Sequence, residues 1–89
     1  MADLKTCQCC GYKTLDVDTR FYDICPICFW EDDPIQNDNP FDNGGANKVS
    51  LIDAQNNFKK FGASEITFLS NVRKPNENDI FDENWSSFK

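Results

Sequence analysis

Apolar positions are spaced for strands early in the chain and for helices later. Residues 12–15 (Tyr-Lys-Thr-Leu) and 20–24 (Arg-Phe-Tyr-Asp-Ile) are β-prone, and Asp16-Val17-Asp18-Thr19 between them is turn-like, so the pattern predicts a short hairpin. Residues 31–47 hold two prolines, two glycines and nine Asn, Asp or Glu side chains, a composition that predicts a long irregular loop. Ser50, with Asp53 three residues on, then resembles a capping box. Leu51, Ala54, Phe58 and Phe61 fall on one helical face behind it, and Gly62 supplies a stop. Ser64 is expected to cap a second helix carrying Ile66, Leu69 and Val72 on one side, with Arg73 and Lys74 at its end and Pro75 terminating it. In the tail, Phe81, Trp85 and Phe88 are spaced for one or two helical turns docked on the core.

With 89 residues there is room for one domain. It divides into residues 7–33, a zinc-ribbon segment holding all five cysteines, an acidic loop at 34–47, a helical part at 48–75 and an acidic, aromatic tail at 76–89. The chain has no histidine, which removes Ser-His-Asp and Cys-His nucleophiles and His-ligated zinc hydrolases, so no enzymatic activity is expected. No segment approaches the roughly 18–20 apolar residues of a membrane span. The first residues have neither the positive start nor the apolar stretch of a signal peptide, and a cytoplasmic location is expected. Thiols stay reduced there, which favours metal ligation over disulfides, as does the odd count of five cysteines.

The net charge of -6 is distributed unevenly, with five acidic side chains and no basic one between residues 31 and 46. Residues 47–75 are mildly basic, through Lys48, Lys59, Lys60, Arg73 and Lys74. The overall acidity opposes nucleic-acid binding, which depends on neutralising phosphates with Lys and Arg. The acidic loop does not place its ligands as an EF-hand does. Gly44-Gly45 lacks the Lys-Ser/Thr of a phosphate loop.

Cys7-Gln8-Cys9-Cys10-Gly11 and Cys25-Pro26-Ile27-Cys28 supply two Cys-x-x-Cys pairs, Cys7/Cys10 and Cys25/Cys28, separated by 14 residues. Two thiolates three positions apart can grip one ion from a tight turn, and this separation lets a hairpin bring the second pair back to complete four-sulfur coordination. Gly11 allows the positive φ that closes such a turn, and Pro26 stiffens the second one. Four thiolates fill zinc's coordination sphere, which marks a structural site, since catalytic zinc keeps a position for water. Iron is the less favoured ion. Cys9 is a spare thiol, read as a small buried hydrophobe.

Cys7-Gln8-Cys9-Cys10-Gly11-Tyr12, Cys25-Pro26-Ile27-Cys28-Phe29-Trp30-Glu31-Asp32-Asp33 and Gly44-Gly45-Ala46-Asn47 leading to Ser50-Leu51 resemble the small bacterial CPCC-type cysteine-rich proteins. Ala54, Asn57-Phe58, Phe61-Gly62-Ala63 and Val72-Arg73-Lys74-Pro75 extend the likeness, while Gln8 replaces a proline and leaves the first turn less rigid. The resemblance implies a non-catalytic, zinc-binding module. The expected fold is small α+β: a zinc-ribbon-like β-hairpin with two CxxC knuckles, covered by two or three short helices.

Three functions compete. The first is a zinc-stabilised protein-interaction module with a protein partner, in one version an acidic inhibitor or immunity-type protein that masks a basic partner. Its candidate binding residues are Phe29, Trp30, Glu31, Asp32 and Asp33, although packing of the two rings over the metal site explains them as well. The second is rubredoxin-like electron transfer by iron. The third is a zinc-ribbon nucleic-acid-binding module.

Overall fold

The computed structural model describes residues 4–18 and 21–88. Strand β1 (Leu4–Thr6) pairs antiparallel with β2 (Lys13–Asp16), matching Leu4 to Asp16, Lys5 to Leu15 and Thr6 to Lys13, with an irregularity between Lys5 and Thr6. Helix α1 spans Pro34–Asp38, α2 spans Leu51–Phe61, and a single 3-10 turn covers Ile66–Phe68. Among the described residues no helix is long and apolar enough to cross a membrane.

The hairpin differs from the expected one in its partner strand. Residues 13–16 pair backwards with Leu4–Thr6, so the connection is the first Cys-x-x-Cys turn itself, closed where Cys7 N donates to Tyr12 O at 2.9 Å. Thr19 and Arg20 lie outside the described residues. Within 21–24 only Ile24 joins a bridge, to Glu31, across the second cysteine pair. Each pair of β-prone residues thus closes around its own cysteine turn, and β-pairing with the nearest such run gives way to that local constraint.

The region expected to be irregular contains α1. Asp33 caps it, its Oδ1 accepting from Ile35 N at 2.9 Å and Gln36 N at 3.3 Å, and Pro34 occupies the first turn, where its missing N–H costs nothing. Helix α2 follows the expected signals: Ser50 Oγ accepts from Asp53 N at 3.2 Å, and Gly62 ends the helix in the left-handed region. Lys59 and Lys60 sit in its last turn, where the helix dipole favours cations. Leu51, Ala54 and Gln55 are buried, and Phe58 packs half-buried against the core.

The second helix after Ser64 is reduced to the 3-10 turn. Ser64 is buried and does not cap: its N–H donates to Cys28 O at 2.8 Å, and its carbonyl accepts from Asn57 Nδ2 at 2.9 Å. With the backbone held there, Ile66 and Leu69 stay exposed while Phe68 packs on Phe29, ring centroids 4.8 Å apart. The tail docks as expected but without a helical turn. Phe81 bridges to Tyr12, and its ring meets those of Tyr12 and Trp85 edge-on.

The core is assembled around sulfur. Cys7, Cys9, Cys10, Cys25 and Cys28 cluster with Leu15, Ile27, Trp30, Leu51 and Ala54. So small an apolar core needs a further staple.

Candidate metal centre

The two cysteine turns have the same hydrogen-bond pattern. In the first, Gly11 N donates to Cys7 O at 2.9 Å; in the second, Phe29 N donates to Cys25 O at 2.8 Å. Cys25 N also donates to Trp30 O at 3.0 Å, the counterpart of the Cys7–Tyr12 bond. The residue after each second cysteine has positive φ, 82° at Gly11 and 68° at Phe29. Glycine takes that conformation freely, whereas a phenylalanine holds it at a cost of about 1 kcal/mol or more. At Phe29 the ring contact with Phe68 helps to hold it.

The turns face each other, and the Sγ atoms of Cys7, Cys10, Cys25 and Cys28 all lie within 4.8 Å of one another, every one buried. Cys7 and Cys28 approach to 3.5 Å and Cys10 and Cys25 to 3.7 Å, with all five cysteines as free thiols. A tetrahedral ion with metal–sulfur bonds of about 2.3 Å sets its sulfurs about 3.8 Å apart. The contacts between the turns match that edge, so the four cysteines can hold a metal ion.

Electrostatics make the same demand. Hydrogen bonds from Cys10, Cys28 and Cys7 hold Cys25 as a thiolate far below the ordinary thiol range, with help from Thr14. The Thr14 hydroxyl donates to Cys25 Sγ at 3.0 Å. Burial pushes Cys7 and Cys28 in the opposite direction, well above the ordinary value. Ionising all four sulfurs in so small a buried volume requires a cation. Thr14 has no signature in the sequence, because its relevance depends on β2 crossing the second turn. Cys9 is buried beside the four as a fifth thiol and is not one of the group.

The aromatic and acidic run after Cys28 is directed largely inward. Trp30 is fully buried and donates through Nε1 to Asn37 Oδ1 at 3.1 Å. Asp32 accepts from Asn37 Nδ2 at 2.7 Å and pairs with Lys5 at 3.3 Å. Asp33 caps α1 and also accepts from Ala46 N at 2.9 Å. Of the five candidate binding residues, Phe29 and Glu31 retain partial exposure, while Trp30, Asp32 and Asp33 are buried.

Two braces on this site were not foreseen. Gln55 Nε2, from α2, donates to Gln8 O at 2.7 Å, and Trp85 Nε1, from the tail, donates to the same carbonyl at 3.2 Å. Gln36, fully buried, ties down the acidic loop: its Nε2 donates to the carbonyls of Asp42, Val49 and Asn47 at 2.9, 3.1 and 3.2 Å. Its Oε1 accepts from Asn47 N and Nδ2 at 3.0 and 2.9 Å. Asn47 in turn exchanges hydrogen bonds with the backbone of Glu31, both at 2.9 Å. The loop beside the second cysteine turn is therefore fixed to it.

No curated protein matches the chain. A family model, cysteine-rich CPCC, matches residues 5–79, which include both cysteine turns, the loop and α2. The chain belongs to the cysteine-rich CPCC family.

Proposed function

We propose that this is a non-catalytic protein in which Cys7, Cys10, Cys25 and Cys28 form two zinc knuckles around a structural zinc ion, and that the folded domain is a protein-interaction module. The observation carrying the metal reading is the set of four buried sulfurs within 4.8 Å of one another, with contacts of 3.5 and 3.7 Å between the two turns. Zinc suits an all-thiolate, closed site, and its binding contributes on the order of 10 kcal/mol to folding in small domains.

The interaction reading rests on what remains outside. The net charge is -6, and large apolar side chains stand in solvent on the acidic loop: Ile35 is 59% and Phe41 79% exposed. An acidic surface with aromatic anchors suits a basic protein partner, as an inhibitor or immunity-type protein would.

The test is metal analysis and partner mass spectrometry on one native preparation, with Cys25→Ser beside it. One colourless zinc per chain is expected, with a partner whose retention falls as salt rises. Cys25→Ser should lose the ion and cooperative melting. A visible iron chromophore would establish the electron-transfer alternative, and normal melting of Cys25→Ser would overturn the structural metal. If no salt-sensitive partner is retained, the inhibitor reading fails.

A further inference from the structure

The two cysteine turns share their backbone geometry but are stiffened differently. The second has Pro26 after its first cysteine, which fixes φ there through its ring. The first has Gln8 at that place and no such constraint. The Gln8 carbonyl instead receives two side-chain donors from far along the chain, Gln55 Nε2 and Trp85 Nε1.

Residues 80–88 run as a strap across this turn. Lys13 N donates to Ile80 O and Asp82 N to Gly11 O, both at 2.8 Å. The Phe81 and Trp85 rings press on Gly11 so closely that a Cβ there would lie 2.7 Å from atoms of each. At the far end Phe88 N donates at 2.7 Å to Gln55 Oε1, so the residue that braces Gln8 from α2 is itself held by the strap. The strap lies beyond residue 79, where the family match ends.

We propose that Trp85, with Gln55, is a positioning residue for the metal site: the strap supplies to the Cys7–Cys10 turn the rigidity that Pro26 gives the other, and so governs how fast that turn releases its ion. The inference rests on the zinc reading above. On this proposal release begins at the turn without proline, once its strap is loosened. Trp85→Phe keeps an aromatic ring in the strap but removes the indole donor and shortens the ring that packs on Gly11.

Zinc-loaded full-length protein is challenged with excess EDTA, release is followed in time, and cysteines freed at each stage are alkylated and assigned by mass spectrometry. Trp85→Phe should release zinc about fivefold faster, the factor for one net hydrogen bond. Cys7 and Cys10, assigned apart from the spare thiol Cys9, should label ahead of Cys25 and Cys28. Adding Gln8→Pro to Trp85→Phe should restore slow release, a rescue that a merely structural role for Trp85 does not provide. An unchanged rate in Trp85→Phe, simultaneous labelling of both pairs, or failure of Gln8→Pro to slow release overturns the strap. Failure of the native chain to bind one zinc overturns the metal reading itself and is separately visible.

Discussion

A single side chain, Gln36, ties α1 to the backbone at Asp42, Asn47 and Val49. It is completely buried, and its amide joins the carbonyls of Asp42, Asn47 and Val49 to the backbone and side chain of Asn47. Among the described residues no buried side-chain nitrogen or oxygen lacks a partner, so the network is complete, and a network of this kind is costly to break in part. Gln36→Leu keeps the volume and leaves several buried groups unmatched, a loss of about 3 kcal/mol or more. Denaturant titration of the metal-loaded variant measures it, and amide exchange at Asn47 should accelerate with it. None of this was legible beforehand. A glutamine among asparagines and aspartates carries no sign that it is buried, because its value comes from three carbonyls brought together only by the fold. The four cysteines were legible for the opposite reason: ligand type and spacing are local, and the fold has only to bring two turns together.

Among the elements, α2 was readable from end to end because cap, apolar period and stop are all written within a dozen residues. Helix α1 was not, since Asp33-Pro34 has the composition of a turn and only the capping geometry distinguishes a helix start. The hairpin was misassigned because β-propensity does not name a partner strand, and the segment expected to become a second helix lost to the hydrogen bond between Ser64 and Cys28. Asp33 also shows how one residue joins two elements: one carboxylate oxygen caps α1 and the other accepts from Ala46 N. Asp33→Asn keeps a capping oxygen but sets its amide against the Ala46 N–H, donor facing donor. The expected cost is about 1–2 kcal/mol. Exchange should quicken at the Ala46 amide while Ile35 and Gln36 stay protected, which separates loss of the loop contact from loss of the helix.

For the molecule as a whole, the tail is fixed by charge as well as by rings. Arg73 donates to both oxygens of Asp79 at 2.7 and 2.9 Å, and Asn76 N donates to the same carboxylate at 2.7 Å. The Arg73 guanidinium, chiefly, holds the Asp79 carboxyl down at about 2 from an ordinary 3.8. Because the folded value lies below the unfolded one, this contribution is fully present above about 3.8 and is lost as pH falls through about 2. Arg73 is exposed at this contact and Asp79 only partly buried, so its effect is on local order and is weakened by salt. Carbon-detected NMR should find Asp79 still ionised at about pH 4, whereas Arg73→Ala should begin to protonate there. Asp82 is lowered in the same direction, first by the hydroxyl of Thr6, which donates to it at 2.5 Å. That bond ties the end of β1 to the strap.

The closed four-sulfur site has one more consequence, in the long-range field of the protein. An ion held by four thiolates forms a centre of charge about -2 when the ion is divalent, whereas burial disfavours the ionised forms of Cys7 and Cys28 without it. Loading the site therefore makes an already acidic protein more so, even though a cation has been added. The added negative charge sits inside the fold, where counterions screen it less than at the surface. If the partner is the basic protein proposed above, it would be drawn to the loaded chain by a stronger field than to the empty one, and metal occupancy would raise the rate of encounter.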